Sequence, residues 1–113
     1  MKTETAIKIF NLIKDKTGQE IPKNIPIIKD GYFNYININN GKVISDEWFQ
    51  YIGNFHNGFA DVLKNGKWNF IDVKGKLLSD IWFNNVINFN NGFARILKKQ
   101  KWNFIDVEGK LLS

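Results

Sequence analysis

The 113-residue sequence contains no cysteine, and it has only one histidine, one arginine and two prolines. Without cysteine the chain forms no disulfide, no thiolate metal site and no cysteine nucleophile. The single histidine, His56, has no second imidazole with which to complete a transition-metal site. The sequence therefore predicts no metal and no cofactor.

Long apolar runs are also missing. No stretch approaches the roughly 18 uninterrupted apolar residues of a membrane span. The N-terminal segment carries Glu4 where a signal peptide has positive charge, and no small-residue cleavage site follows it. We therefore expect a cytoplasmic protein without a membrane partner.

The chain is rich in aromatic residues and in lysine. Ten Phe, four Trp and three Tyr accompany a hydrophobic fraction of 43%, which is typical of a folded domain. The formal charge is +5, although Arg95 is the only arginine. A single arginine can make few of the bidentate contacts by which proteins recognise phosphate or guanine. We therefore interpret the lysines as a solvated coat and keep weak nucleic-acid binding as a second alternative only.

An internal repeat organises most of the chain. Residues 41–74 and 75–108 are identical at 21 of 34 aligned positions, with no gap between the copies. The GKLLS sequence at 109–113 starts a further copy, and a diverged partial copy occupies 27–40. Together these copies predict a single repeat region, 27–113.

Each copy shows the alternation and the turn signals of short β-strands. The segments at 58–64 and 67–73 are predicted strands, joined by Asn65-Gly66, because Asn and Gly accept the positive φ of a two-residue hairpin turn. The last copy has Lys99-Gln100 there, so we expect a different or strained turn.

The KLLS segment at 76–79 is the predicted third strand of the unit. Residues 80–92 are predicted to be a connection held by its aromatics, with or without a short helical turn or strand. The predicted fold is mostly β: tandem three-stranded antiparallel meanders with a 34-residue period. Because one small meander cannot bury its own aromatic face, neighbouring copies should complete each other's cores.

The N-terminal region, residues 1–26, differs in kind. Thr3 begins a predicted helix over roughly 4–16, and Gly18 lies just beyond its end. A proline-containing stretch at 18–28 is predicted to be an extended linker. The helix is interpreted as a cap on the open end of the repeat array.

The repeat resembles the WG (or KWG) β-repeat proteins of bacteria, whose units carry Trp-Gly-aromatic-Ile-Asp, a Gly-Lys turn and Phe-x-x-Gly-aromatic-Ala. The matching residues here are Phe55, Gly58, Phe59, Ala60, Lys67, Trp68, Phe70, Ile71, Asp72, Gly75 and Lys76, and then Phe89, Gly92, Phe93, Ala94, Lys101, Trp102, Phe104, Ile105, Asp106, Gly109 and Lys110. The resemblance implies a β-rich repeat scaffold that acts as an interaction module, with no single activity.

One position departs from the family pattern. Where the family often has Gly after its Trp, this chain has Asn34, Asn69 and Asn103. Asn tolerates positive φ better than most residues, so these positions either keep a glycine-like backbone or are extended polar strand residues.

No residue pattern indicates catalysis, and the sequence predicts no catalytic residue. Phosphate-binding, zinc-hydrolase and serine-hydrolase motifs are absent from the sequence. Asp72 and Asp106 recur at one repeat position, as do Asp46 and Asp80, which favours hydrogen bonding at a turn or strand end. The recurring residues Trp68, Phe70, Trp102 and Phe104 are interpreted as core.

The predicted function is a non-catalytic protein–protein interaction or assembly module. Shared repeat positions serve the fold, so positions at which the two copies differ are freer to contact a partner. The candidate partner-binding residues are Tyr51, His56, Asp61, Ile81, Ile87 and Arg95. Residues 110–113 begin a further unit, so either the sequence is a fragment of a longer array or its last strand is an open edge, which invites self-association or docking on another chain. A small structural subunit of a larger assembly, including a viral particle, is the alternative.

Overall fold

The computed structural model describes residues 23–112, which form eight β-strands and no helix. The strands are β1 (Asn24–Lys29), β2 (Tyr32–Asn37), β3 (Tyr51–Ile52), β4 (Phe59–Lys64), β5 (Lys67–Asp72), β6 (Asn85–Asn90), β7 (Phe93–Lys98) and β8 (Lys101–Asp106). The mostly β prediction is confirmed. The predicted N-terminal helix lies outside the described residues. Within 23–112 no helix is long and apolar enough to cross a membrane.

The strands form three antiparallel sheets: sheet 1 (β1-β2), sheet 2 (β3-β4-β5) and sheet 3 (β6-β7-β8). Sheets 2 and 3 have the same register, since Phe59 pairs with Asp72 and Phe93 pairs with Asp106. The repeat in sequence is therefore a repeat in structure.

The composition of each three-stranded sheet differs from the prediction. The third strand comes from the connection, as β3 or β6, and the prediction of a strand at 76–79 is wrong. Leu77 forms only a single bridge with Ile71. After that bridge the segment bulges away from β5 and returns at Phe83, which bridges Trp68. The bulge interrupts the ladder, so no continuous strand forms.

The hairpin turns follow the Asn-Gly signal. Asn65 and Gly66 both have positive φ, 50° and 76°. Lys99 and Gln100 adopt the same conformation, with φ of 50° and 66°. The turn between β7 and β8 is therefore strained rather than different, because non-glycine residues rarely adopt this region.

Strand β1 extends further back than the repeat predicted. It contains Pro26, which was placed in an extended linker. Pro26 lies opposite Tyr35, whose carbonyl accepts a hydrogen bond from Ile44 N on the far side of β2. The ladder needs no N–H from residue 26 at this position, so an edge strand tolerates proline here.

The sheets stack so that one face of each packs on the next, which confirms that neighbouring copies share cores. Tyr35 of sheet 1 packs in one buried cluster with Ala60, Val62 and Ile71 of sheet 2. One repeat later, Phe70 of sheet 2 packs in a second cluster with residues of sheet 3. These residues are Phe89, Ala94, Ile96 and Ile105. Strand β5 is buried on both faces, as predicted, but the prediction that it is a central strand is wrong: β4 is the middle strand of sheet 2 and β5 is at its edge.

Candidate interaction surface

The asparagine that follows Trp68, and the equivalent one that follows Phe33, hold the bulge in the segment after the strand. Asn69 is fully buried, and its Nδ2 donates to Ser79 O at 2.8 Å while its Oδ1 accepts from Phe70 N at 2.7 Å. Asn34 does the same with Ser45 O and Glu47 O, at 2.9 and 3.1 Å. Neither residue has positive φ, so the extended alternative holds. The side-chain amide, rather than a special backbone, is what these positions contribute.

The recurring aspartates organise the next turn. Asp72 Oδ1 accepts hydrogen bonds from Lys74 N and Lys76 N, at 2.9 and 3.0 Å. Asp106 Oδ1 accepts the equivalent pair from Glu108 N and Lys110 N, both at 2.9 Å. The predicted structural role of these carboxylates is confirmed. Asp46 and Asp80 are exposed.

The outer face of sheet 3 exposes large apolar side chains. We call this surface the terminal face; it consists of Ile87, Phe93, Arg95, Trp102 and Phe104. Alternation along each strand places these residues on one side of the sheet, and the register aligns Ile87, Arg95 and Phe104 in one row. Arg95 lies over the Phe104 ring, 5.3 Å from its centroid.

The same face of sheet 2 is covered. Phe70 is fully buried, whereas Phe104, one repeat later, is 44% exposed. Phe89 covers this part of sheet 2, with its ring centroid 5.1 Å from that of Phe70 and 4.4 Å from that of Phe59. The interpretation of Trp102 and Phe104 as core residues is therefore wrong, because Trp102 is also 49% exposed.

Sequence reasoning missed Phe93, Trp102 and Phe104 as surface residues. The signal that could have found them is the position of the covering residues. Phe83 and Phe89 follow Phe70 in the chain and belong to the next copy. Phe104 has no such covering residue within 23–112, where it is 44% exposed.

Of the predicted partner-binding residues, Ile87 and Arg95 lie on the terminal face. Both are exposed, Ile87 by 50%. They are direct cross-strand partners, so the structure brings these two together. Tyr51 and Ile81 are also exposed, by 46% and 40%. Tyr51 packs edge-on against Trp68, with centroids 5.6 Å apart.

Asp61 occupies a different environment from Arg95 at the equivalent position. It is half-buried, and a Cβ on neighbouring Gly53 would overlap its Oδ1. Burial raises the pKa of Asp61 above its ordinary value of 3.8, and His56 opposes this shift. Tyr35 donates its hydroxyl hydrogen to Gly53 O. Burial, with a smaller effect of the Asp61 carboxylate, raises the pKa of Tyr35 to about 12.

His56 lies exposed beside the Asn57-Gly58 turn that leads into β4. Over residues 23–112, no three His, Asp or Glu side chains form a group that could hold a metal ion. Asn57 Nδ2 donates instead to Phe89 O, at 2.8 Å, which ties this turn to sheet 3.

Comparison with known proteins is consistent with this repeat architecture. The family model of the WG-containing repeat matches the chain twice, at residues 35–68 and 70–102. No curated protein and no solved structure matches the chain. The two matched segments are 34 and 33 residues long, close to the 34-residue period of the structural units, and they lie in a different frame from the copies at 41–74 and 75–108. On these matches, which cover more than half of its length, the chain belongs to the WG-containing repeat family.

Proposed function

We propose that the chain is a non-catalytic protein–protein interaction or assembly module. The observation that carries the proposal is the terminal face, where Phe93, Trp102 and Phe104 are all more than two fifths exposed. Exposed aromatic residues clustered on one sheet face favour a protein interface, because their burial is the largest favourable term available on association. Arg95 adds a residue type that is enriched in such interfaces.

A non-catalytic role is supported by the state of the polar groups. The Asp72 and Asp106 carboxylates are engaged by turn N–H groups, and their hydrogen bonds explain why they recur. Two described groups, Tyr35 and Asp61, have a pKa raised by burial, and Tyr35 is a buried hydrogen-bond donor within the fold.

Weak nucleic-acid binding is a second candidate, because one observation favours it. Exposed Trp102 lies beside Lys99 and Lys101, which combines a stacking surface with cations. We rank it below protein binding because the terminal face also contains Ile87 and Phe93, which offer apolar area rather than phosphate contacts. A structural subunit of a larger assembly would use the same apolar face.

The test is photo-crosslinking in cells that express the protein. A photoreactive phenylalanine analogue is placed at Phe104, and in a control chain at Tyr32, which is similarly exposed on sheet 1. We expect position 104 to yield one discrete protein adduct that position 32 does not. Adducts to nucleic acid from position 104 would favour the second candidate, and no adduct above the control would overturn the proposal.

A further inference from the structure

The two internal junctions between repeats are built by the same short segment. At the first, Phe49 forms a β-bridge with Phe33, with N···O distances of 2.7 and 2.8 Å. At the second, Phe83 forms the same bridge with Trp68, at 2.8 Å in both directions. Phe49 and Phe83 are both fully buried. In both junctions the Phe of a Trp-Phe dipeptide thus pairs, at a single position, with the edge strand of the preceding sheet.

A second aromatic in each segment completes the junction. Phe55 packs on Tyr35 with ring centroids 4.8 Å apart, and Phe89 packs on Phe70 at 5.1 Å. Each segment therefore has two anchors, one on the edge of the preceding sheet and one on its face. The spacing between the anchors is the same at both junctions.

The third such site is at β8, and no described residue between 23 and 112 occupies it as Phe83 occupies the second. The segment after β8 begins as the segment after β5 does, since Leu111 bridges Ile105 as Leu77 bridges Ile71. The bridge that pairs Trp68 with Phe83 has no counterpart at Trp102 among residues 23–112. The outward N–H and C=O groups of Trp102 are consequently available to a further strand.

Two hollows flank Trp102 where the docked segment would lie. One has a volume of about 510 Å³ and is lined by Ile96, Lys98, Lys99, Lys101, Trp102, Asn103 and Leu111. The other has a volume of about 260 Å³ and lies among Arg95, Trp102, Asn103 and Phe104. The lining combines an apolar floor with cationic side chains, so it favours an aromatic segment that carries negative charge.

We propose that this edge of sheet 3 binds, in trans, an extended acidic-aromatic segment of another polypeptide. The segment has the pattern Asp-x-Trp-Phe followed six residues later by Phe. This inference rests on the proposed function and names the partner's chemistry. The first Phe forms a β-bridge with Trp102, and the second packs on Phe104. Binding is by strand addition, in which backbone hydrogen bonds supply affinity and the two aromatic anchors supply specificity.

An intact second copy of this chain does not offer such a segment. Its Phe49 and Phe83 are fully buried and its Phe89 is only 4% exposed. A second copy could present them only after one of its own junctions had opened. The occupant is therefore a segment that is not already docked in a repeat.

The test is titration of the full chain, labelled with ¹⁵N, with a synthetic peptide of the sequence at residues 80–90. The peptide starts at Asp80 because residues 110–113 already carry the sequence of residues 76–79. We expect saturable binding by calorimetry, with amide shifts confined to Trp102, Phe104 and their neighbours. A peptide with Phe83→Ala and Phe89→Ala should bind at least tenfold more weakly, since anchor residues dominate such interfaces.

Chain variants give the matched controls. Phe104→Asp should abolish peptide binding, whereas Tyr32→Asp, at a similarly exposed aromatic on sheet 1, should leave it unchanged. If Phe104→Asp does not fold, Ile87→Asp on the same face replaces it.

The inference would be overturned by a folded chain that does not bind the peptide. It would also be overturned if the peptide changed amide shifts in another part of the chain. Concentration-dependent self-association that Phe104→Asp removes would also overturn it, by making a second copy the occupant. The proposed function is judged separately by the crosslinking experiment, which can succeed at position 104 even if the peptide fails.

Discussion

Gly53 and Asp61 are hydrogen-bonded cross-strand neighbours, and the Asp61 carboxylate fills the space that a side chain on residue 53 would need. Gly53 N donates to Asp61 O at 2.8 Å. One repeat later the same two positions hold Ile87 and Arg95, which also pair across strands. The two differences between the copies are therefore coupled: the residue at position 53 or 87 limits which side chain fits at position 61 or 95.

The first prediction follows from this coupling. Gly53→Ile alone should lower the free energy of unfolding, because the new side chain overlaps the Asp61 carboxylate. Adding Asp61→Arg, the partner found in sheet 3, should recover about 0.5 to 3 kcal/mol of that loss. Urea unfolding of both single variants and the double variant measures the coupling. Gly53→Ile combined with Glu108→Gln, at an exposed turn, should be additive instead.

The second prediction concerns pH. Because burial raises the pKa of Asp61, the folded state holds this proton more tightly than the unfolded state. The resulting stabilisation is present below the ordinary value of 3.8 and is lost as pH rises through the folded pKa. Asp61→Asn should therefore be more stable than the parent at pH 7, with the difference shrinking toward pH 3.5. Thermal unfolding across this range tests the sign.

The matched control for that experiment is Asp46→Asn, at an exposed carboxylate in the first connection. Its stability difference from the parent should change little with pH. A gain in stability for Asp61→Asn that grows toward acid pH would contradict the argument, because it would require a lowered pKa.

The third prediction tests the asparagine amides. Asn69→Gly introduces the residue common in the family, yet it should lower stability by about 2 to 4 kcal/mol, because a buried amide and its hydrogen bonds are lost and an extended strand gains a glycine. Asn88→Gly, at an exposed position in β6, carries only the glycine cost, about 1 kcal/mol. Equal losses for the two variants in denaturant unfolding would show that the amide contributes nothing.

The fourth prediction concerns the strained turn. Lys99→Asn with Gln100→Gly copies the Asn65-Gly66 turn into the last hairpin. It should raise the free energy of unfolding by about 1 kcal/mol, since two non-glycine residues leave the left-handed region. The reverse exchange, Asn65→Lys with Gly66→Gln, should lower it by a similar amount. Equal unfolding midpoints for parent and variants would exclude strain at this turn.

The fifth prediction separates two roles of glycine. Gly75 has a φ of 83°, and a Cβ there would overlap Ile44 O, whereas Gly66 has a φ of 76° with open space around it. Gly66→Ala should cost about 1 kcal/mol for the backbone conformation alone. Gly75→Ala should cost about 2 to 4 kcal/mol because the two repeat segments must move apart. Melting temperatures of the pair measure the difference, and equal losses would show that the close approach is easily relieved.

Much of the fold was predictable because its signals are local. Alternation placed β4 and β5 within a residue of their observed ends, and the Asn-Gly turn between them has the predicted backbone. The irregular path of the KLLS segment was not predictable, since a four-residue segment with two leucines does not show that a bulge will interrupt its ladder at Ser79. The amide bonds of Asn69 were hidden for the same reason, because their acceptor lies in a neighbouring segment.

The candidate surface was predictable only in part. Ile87 and Arg95 could be found because the copies differ there, whereas Trp102 and Phe104 are identical to their buried counterparts Trp68 and Phe70. Identical residues carry no information about their own exposure.

The sequence by itself determined the repeat, the hairpins and the turns, because periodicity and backbone preference act over a few residues. Only the tertiary structure decided which face of which copy is covered. Phe70 is buried and Phe104 is exposed because burial depends on what packs against a residue, not on the residue itself. The terminal face is a property of the stack rather than of any single repeat.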